Sequence, residues 1–257
     1  MSAAKSKSGD FLLAVEGLTV SFDGFKAVDD LSFYLDPKEI RVIIGPNGAG
    51  KTTVFNLLTK FLEPSSGQIF YKNKNVTGRN SASLARRGLV RSFQISAVFP
   101  HLSVLENVRV ALQRETGTSF HFWKSDNSLN NLTEQAMAAL EEVVLTDNEK
   151  AVAVELPYGR KRALELATTL ALKPEVMLLD EPTSGMGHED VGRVMALIRK
   201  VAANRTVLMV EHNLKVVADL SDTITVLQRG QILAEGNYEE VSNNPAVLEA
   251  YVGGHHA

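Results

Sequence analysis

Short aliphatic runs alternate along this chain with longer segments in which apolar residues recur every three or four positions. That is the pattern of strands and helices wound into an α/β fold with a mainly parallel sheet. Residues 40–44 hold Val42, Ile43 and Ile44 with little polar alternation, as suits a central strand covered on both faces. A glycine-rich turn follows at 45–50, and residues 52–60 place Val54, Phe55, Leu57 and Leu58 at helical spacing. The stretch 63–67 has the composition of a turn. Further on, 176–179 and 207–210 predict two more buried strands. Val194, Leu197, Ile198 and Val201 form one face of a helix between them, giving the order of a strand-helix-strand crossover. Residues 223–227 and 232–234 flank Gln228-Arg229-Gly230-Gln231 as the arms of a hairpin.

The segment from about 96 to 172 has helical patterning, clearest at 134–144, and few strand-like runs. It reads as a helical subdomain inserted in the α/β core, with 116–132 as its least regular part, a loop. Phe120, Phe122 and Trp123 in that loop form either a small satellite core or an exposed partner patch. Residues 1–10 read as a flexible tail and 11–257 as the folded domain. No repeat is visible. The longest uninterrupted apolar runs, such as 11–15, have five residues, far short of the roughly 18 that a membrane span needs. The N-terminal apolar stretch is also shorter than a signal-peptide core.

Composition narrows the chemistry. The 257 residues hold no Cys, which fits a reducing compartment and removes disulfides, thiolate metal sites and cysteine nucleophiles. With 27 basic and 30 acidic residues the net charge is −3, against a general nucleic-acid binder. The expected location is therefore the cytoplasm.

Gly45-Pro46-Asn47-Gly48-Ala49-Gly50-Lys51-Thr52, continued by Thr53, matches GxxxxGK[ST]. In that pattern glycines let backbone N–H groups converge on phosphate oxygens at a helix N-terminus. Lys51 is suited to the β- and γ-phosphates and the Thr52 hydroxyl to Mg²⁺. The second half of the site is Asp180-Glu181-Pro182 after the strand at 176–179. Two carboxylates at the carboxyl end of a parallel strand stand where ligands bind in open sheets. Asp180 is the candidate for the metal and Glu181 for orienting and polarising the attacking water. His212, after the strand at 207–210, is either structural or a γ-phosphate contact.

These residues resemble the ATP-binding subunits of ABC transporters. The long helical region between Lys51 and Asp180 matches that family's layout, a P-loop NTPase core with an N-terminal antiparallel β region and an inserted helical subdomain. The resemblance implies ATP and Mg²⁺ as cofactors. It makes Phe22 the aromatic that stacks on adenine, although a core position on an N-terminal strand is an alternative, and it sets Val28 beside the nucleotide. Gln94, in Arg91-Ser92-Phe93-Gln94, is similar to the glutamine that touches Mg²⁺ and the attacking water. His212 matches the switch histidine, and Ser184-Gly185-Met186-Gly187 stands where the family has its D-loop.

The signature that binds the partner subunit's ATP is Leu156-Pro157-Tyr158-Gly159-Arg160, against the usual Leu-Ser-Gly-Gly-Gln. Pro157 offers neither the hydroxyl nor the N–H of the usual serine. Gly159 keeps its amide, and a helix starting near Arg160 is expected to direct its positive end outward. With the Arg-Ser-Phe-Gln segment, the Tyr-Gly pair looks most like the branched-chain amino-acid uptake branch.

The resemblance implies a homodimer or a heterodimer with a second ABC ATPase, two transmembrane permease subunits and, indirectly, a solute-binding protein. No nucleic acid is implied, and the place is peripheral on the cytoplasmic face of the membrane. Val98, Phe99, Pro100, Leu102 and Leu105 either form the groove for a permease helix or close the local core. Two competing readings are an ABC ATPase acting on nucleic acid or ribosomes and a weakly hydrolysing nucleotide sensor.

Overall fold

The computed structural model describes residues 11–92, 98–115 and 126–252. The expected tail at 1–10, Gln94, and the aromatics Phe120, Phe122 and Trp123 lie outside them. Along the chain come strands β1 (Leu13–Phe22), β2 (Phe25–Leu35) and β3 (Ile40–Ile44), helix α1 (Lys51–Leu58), β4 (Ser66–Tyr71), β5 (Lys74–Asn75), α2 (Ser81–Arg86) and β6 (Leu89–Ser92). Helices α3 (Val104–Glu115), α4 (Asp126–Glu142) and α5 (Tyr158–Ala171) follow, then β7 (Val176–Asp180), α6 (His188–Ala202), β8 (Thr206–Val210) and α7 (Leu214–Leu220). Strands β9 (Thr223–Gln228) and β10 (Gln231–Gly236) and helices α8 (Tyr238–Ser242) and α9 (Pro245–Val252) complete the order. The chain forms two compact units, one of residues up to Leu84 and from Asn204, the other Ala85–Ala203.

In the first unit, an antiparallel sheet runs β2-β1-β4-β5, the N-terminal β region expected. Beside it β3 pairs in parallel with β8 and β9, and β9 turns back into antiparallel β10. Three hairpins close through two residues, Asp23-Gly24, Lys72-Asn73 and Arg229-Gly230, all with positive φ. Such turns carry the twist that antiparallel partners need. Every residue of β3 is buried, including Arg41. Its guanidinium donates to Glu39 (3.0 Å), Thr225 (3.2 Å) and Glu235 (2.6 Å), which is how a cation sits inside a sheet. Helix α1 buries the four residues expected, Val54, Phe55, Leu57 and Leu58.

In the second unit β6 pairs in parallel with β7, in register from Leu89 with Val176 to Ser92 with Leu179. Helices α3, α4 and α5 pack on one another, and α6 buries Val194, Leu197, Ile198 and Val201. Helix α3 starts with a capping box, since Ser103 Oγ accepts from Glu106 N–H and Glu106 accepts from Ser103 N–H.

Two sequence expectations need correcting here. Residues 126–132 are helical, not loop, because α4 begins at Asp126. The helix expected over 134–144 ends at Glu142, and Val144 takes φ 57. Leu145 N–H donates to the Leu140 carbonyl (2.9 Å) and Val144 N–H to that of Glu141 (3.2 Å). These two bonds form a Schellman closure between buried Leu140 and buried Leu145, and they hold Val144 in a left-handed position that a β-branched residue fits poorly.

Candidate functional site

The phosphate cradle lies entirely in the first unit. Buried β3 ends at Ile44, and Gly45 (φ 152), Gly48 (φ 76) and Gly50 (φ 100) turn the chain into α1. Glycine is demanded at both ends. A Cβ on Gly45 would stand 2.2 Å from the Leu227 carbonyl oxygen, and one on Gly50 would stand 2.6 Å from that of Ala27. Pro46 and Asn47 form the rim, and Ala49 is buried. Lys51 Nζ donates to the carbonyls of Gly45 (2.7 Å) and Pro46 (3.1 Å), so its ammonium arches over the loop. The helix ladder starts only at Val54 N–H to Gly50 (2.9 Å), which leaves the amides of residues 51–53 outside it. No side chain caps this end and its first turn holds no acid. An anion at this helix end meets backbone amides, with the Lys51 ammonium beside them. Thr52 is exposed and Thr53 half-buried.

Gly230 and Val28 flank the cradle. Gly230, at the β9/β10 tip, donates its N–H to the Ala49 carbonyl (3.0 Å) and accepts from Asp29 N–H (2.9 Å). Val28 is buried, its Cγ2 3.7 Å from where a Cβ on Gly50 would stand. Burial raises the pKa of the Tyr251 hydroxyl of α9, and the Gly45 backbone amide opposes the rise. Phe22 is 45% exposed at the end of β1, opposite Phe25 across the Asp23-Gly24 turn. It is therefore not a core residue, and its ring is available for stacking.

His212 is exposed just past β8. The preceding Glu211 is wholly buried, and one of its carboxylate oxygens accepts from His212 N–H (3.0 Å) and Asn213 N–H (3.2 Å). Asn213 in turn caps α7 through Lys215 N–H and Val216 N–H. The segment carrying the histidine is thus fastened by its own backbone.

The second unit holds the carboxylates. Asp180 ends β7, only 4% exposed, and is ion-paired with Arg91 of β6. Glu181 follows in a left-handed conformation (φ 45), half-buried, and its carbonyl accepts from Ser184 N–H (3.1 Å). Helix α5 begins at Tyr158, two residues earlier than expected, with Pro157 (φ −55, ψ 153) as its N-cap residue. Proline suits this place, because its fixed φ fits a helix start and no ladder bond needs its missing N–H. Leu156 is buried, while Pro157, Tyr158 and Arg160 are exposed, and Arg160 donates to Asn148 (3.0 Å). Gly159 faces Asp190, whose Oδ1 would lie 2.7 Å from a Cβ there.

Among the described residues no group of three or more His, Asp or Glu side chains could hold a metal ion. The exposed Thr52 at the start of α1 offers a hydroxyl, the hard oxygen donor that Mg²⁺ takes together with nucleotide phosphates. Sequence reasoning missed Arg91, Glu211 and Tyr251. The first two are charges at the end of aliphatic runs, a signal of a paired buried group; Tyr251 carries no local signal.

Comparison with known proteins agrees with this geometry. The family described as "ABC transporter" matches residues 28–184, and the one described as "Branched-chain amino acid ATP-binding cassette transporter" matches 231–257. The high-affinity branched-chain amino acid transport ATP-binding protein BraF of Pseudomonas aeruginosa is 39% identical over 249 residues, covering 94% of this chain and 98% of the relative. LivG of Escherichia coli, of the same description, is 38% identical with the same coverage. A crystal structure of the ADP conformation of an ABC-transporter ATP-binding cassette superposes with a TM-score of 0.84 at 28% identity, covering 95% of this chain and 99% of that one. A nucleotide-free cassette gives a TM-score of 0.83 at 28% identity, covering 94% of this chain and 98% of the other. With cradle, carboxylate turn and helical unit all in place, the chain belongs to the ABC transporter family, as one of its ATP-hydrolysing cassettes.

Proposed function

We propose that this chain hydrolyses ATP to drive an importer of branched-chain amino acids or similar small organic solutes. The observation that carries the reading is the match of residues 231–257 to the branched-chain cassette family, alongside the 39% identity with BraF. Among the described residues no helix is long and apolar enough to cross a membrane. Separate permease subunits therefore form the path, and the cassette works peripherally on the cytoplasmic face, with a solute-binding protein feeding the permeases from outside.

The amides of residues 45–53 and the Lys51 ammonium hold the β- and γ-phosphates, and the Phe22 ring stacks on the adenine. Thr52, Asp180 and Gln94 are the residues that would hold Mg²⁺. Bound there, the ion neutralises phosphate charge. Glu181 orients the attacking water and accepts its proton, and His212 donates to the γ-phosphate. Two cassettes, identical or related, face each other so that the first turn of α5 meets the partner's nucleotide through its amides. Pro157 leaves that contact to Gly159 and its neighbours.

Phe99, 51% exposed, with Pro100 and half-buried Leu102 and Leu105, offers the permease groove. Buried Asn107 clips this loop, accepting from Phe99 N–H (2.6 Å) and donating to the carbonyls of Phe99 (3.0 Å) and Ser103 (2.9 Å).

The test is Glu181→Gln in the purified protein with its permeases in proteoliposomes. ATP turnover and leucine uptake should both fall by about a hundredfold or more while calorimetry still registers ATP binding. Unchanged turnover would contradict the role of Glu181, and full turnover without uptake of any small amino acid would contradict the transport reading.

A further inference from the structure

The turn carrying Glu181 is fixed from within the second unit, through a residue at which the usual signature has glycine. Glu181 occupies the left-handed region, which a side chain disfavours, so something must hold it there. Ser184 closes the turn by donating its N–H to the Glu181 carbonyl at 3.1 Å. The carbonyl of the same Ser184 accepts from the Tyr158 hydroxyl at 3.1 Å. Tyr158 is itself fastened, since Arg162 donates to its hydroxyl oxygen (3.2 Å) and stacks over its ring (5.5 Å to the centroid). Arg162 in turn donates to Glu165 at 2.6 Å, with both side chains largely buried.

These three residues are spaced along one face of α5. Because the tyrosine oxygen already accepts from the guanidinium, its hydrogen is left to point at Ser184. An unbroken series of bonds therefore runs from Glu165 through Arg162, Tyr158 and Ser184 to Glu181. Gly159 adds a steric reason for the register, since any side chain there would meet Asp190 at the start of α6.

We propose that Tyr158 is a positioning residue for Glu181. Its hydroxyl braces Ser184, and Ser184 keeps the backbone of Glu181 in the conformation that aims its carboxylate. The chain that lacks the signature serine hydroxyl has gained a hydroxyl one residue later, directed at its own carboxylate turn. The inference rests on the role proposed above for Glu181.

The test is Tyr158→Phe in the full chain, which keeps the ring and removes only the hydroxyl. In the nucleotide-free protein, amide hydrogen exchange of a peptide covering Ser184 should quicken about tenfold, with exchange over residues 45–54 unchanged. In turnover, kcat should fall about tenfold with KM and the Kd for MgATP unaltered, and the substitution should cost almost nothing further in a Glu181→Gln background. Should Tyr158→Phe fail to fold, Arg162→Gln leaves Tyr158 in place and removes the group that aims its hydroxyl; the same changes are expected, about threefold. Unchanged Ser184 exchange would overturn the proposal, as would a loss of turnover that multiplies in full with Glu181→Gln or is matched by a loss of ATP affinity. The exchange measurement needs no nucleotide, so it fails or succeeds separately from the assignment of Glu181, which the Glu181→Gln turnover decides.

Discussion

The phosphate cradle and the carboxylate turn are both tight, and both need left-handed backbone, but they obtain it differently. In the cradle every positive-φ position, Gly45, Gly48 and Gly50, is a glycine, so the conformation is written into residue type. In the second unit Glu181 and Val144 take φ 45 and 57 with side chains in place, and their conformations are imposed by hydrogen bonds to Ser184, Glu141 and Leu140. A loop that must present amides to phosphate can dispense with side chains. A turn that must present a carboxylate cannot, and needs bracing from its neighbours.

The sharpest way to break this contrast is Gly45→Ala. With the Leu227 carbonyl 2.2 Å from the added methyl and no side chain able to yield, unfolding by denaturant should show a loss of about 4 kcal/mol. A loss below about 1 kcal/mol would mean the loop adapts and glycine is not required. Next in size, Arg91→Ala should cost about 3 kcal/mol by the same measurement, because it strands the buried Asp180 carboxylate without its cation. Full stability in that variant would show that the second unit does not depend on side-chain pairing at this point. The smallest effect, and of opposite sign, is Val144→Gly. It replaces an exposed β-branched residue at φ 57 and should raise stability by about 1 kcal/mol, seen as a higher midpoint in urea. A loss instead would mean the valine contributes contacts that outweigh its strain.

The same contrast explains what could be read in advance. Ile40–Ile44, the glycine loop, the buried face of α1 and the Arg229-Gly230 hairpin are all local patterns, and each stands where periodicity and glycine placement put it. Asp180 and Glu181 were legible as acids following an aliphatic strand. Their partners were not. Arg91 and Asp180 lie on adjacent parallel strands nearly ninety residues apart, and only the pairing of β6 with β7 joins them. Tyr158 meets Ser184 only through tertiary packing in the second unit. The end of α4 escaped because the usual stop signal, glycine, is absent and a valine serves in its place.

Tyr251 sits one residue before the end of the last described helix, where deletion studies commonly begin trimming. Its hydroxyl feels the amide that opens the nucleotide loop, so shortening α9 would change the surroundings of a residue some two hundred positions earlier. Fusion tags or truncations placed there therefore bear on the nucleotide loop as well as on the packing of Val247 and Ala250.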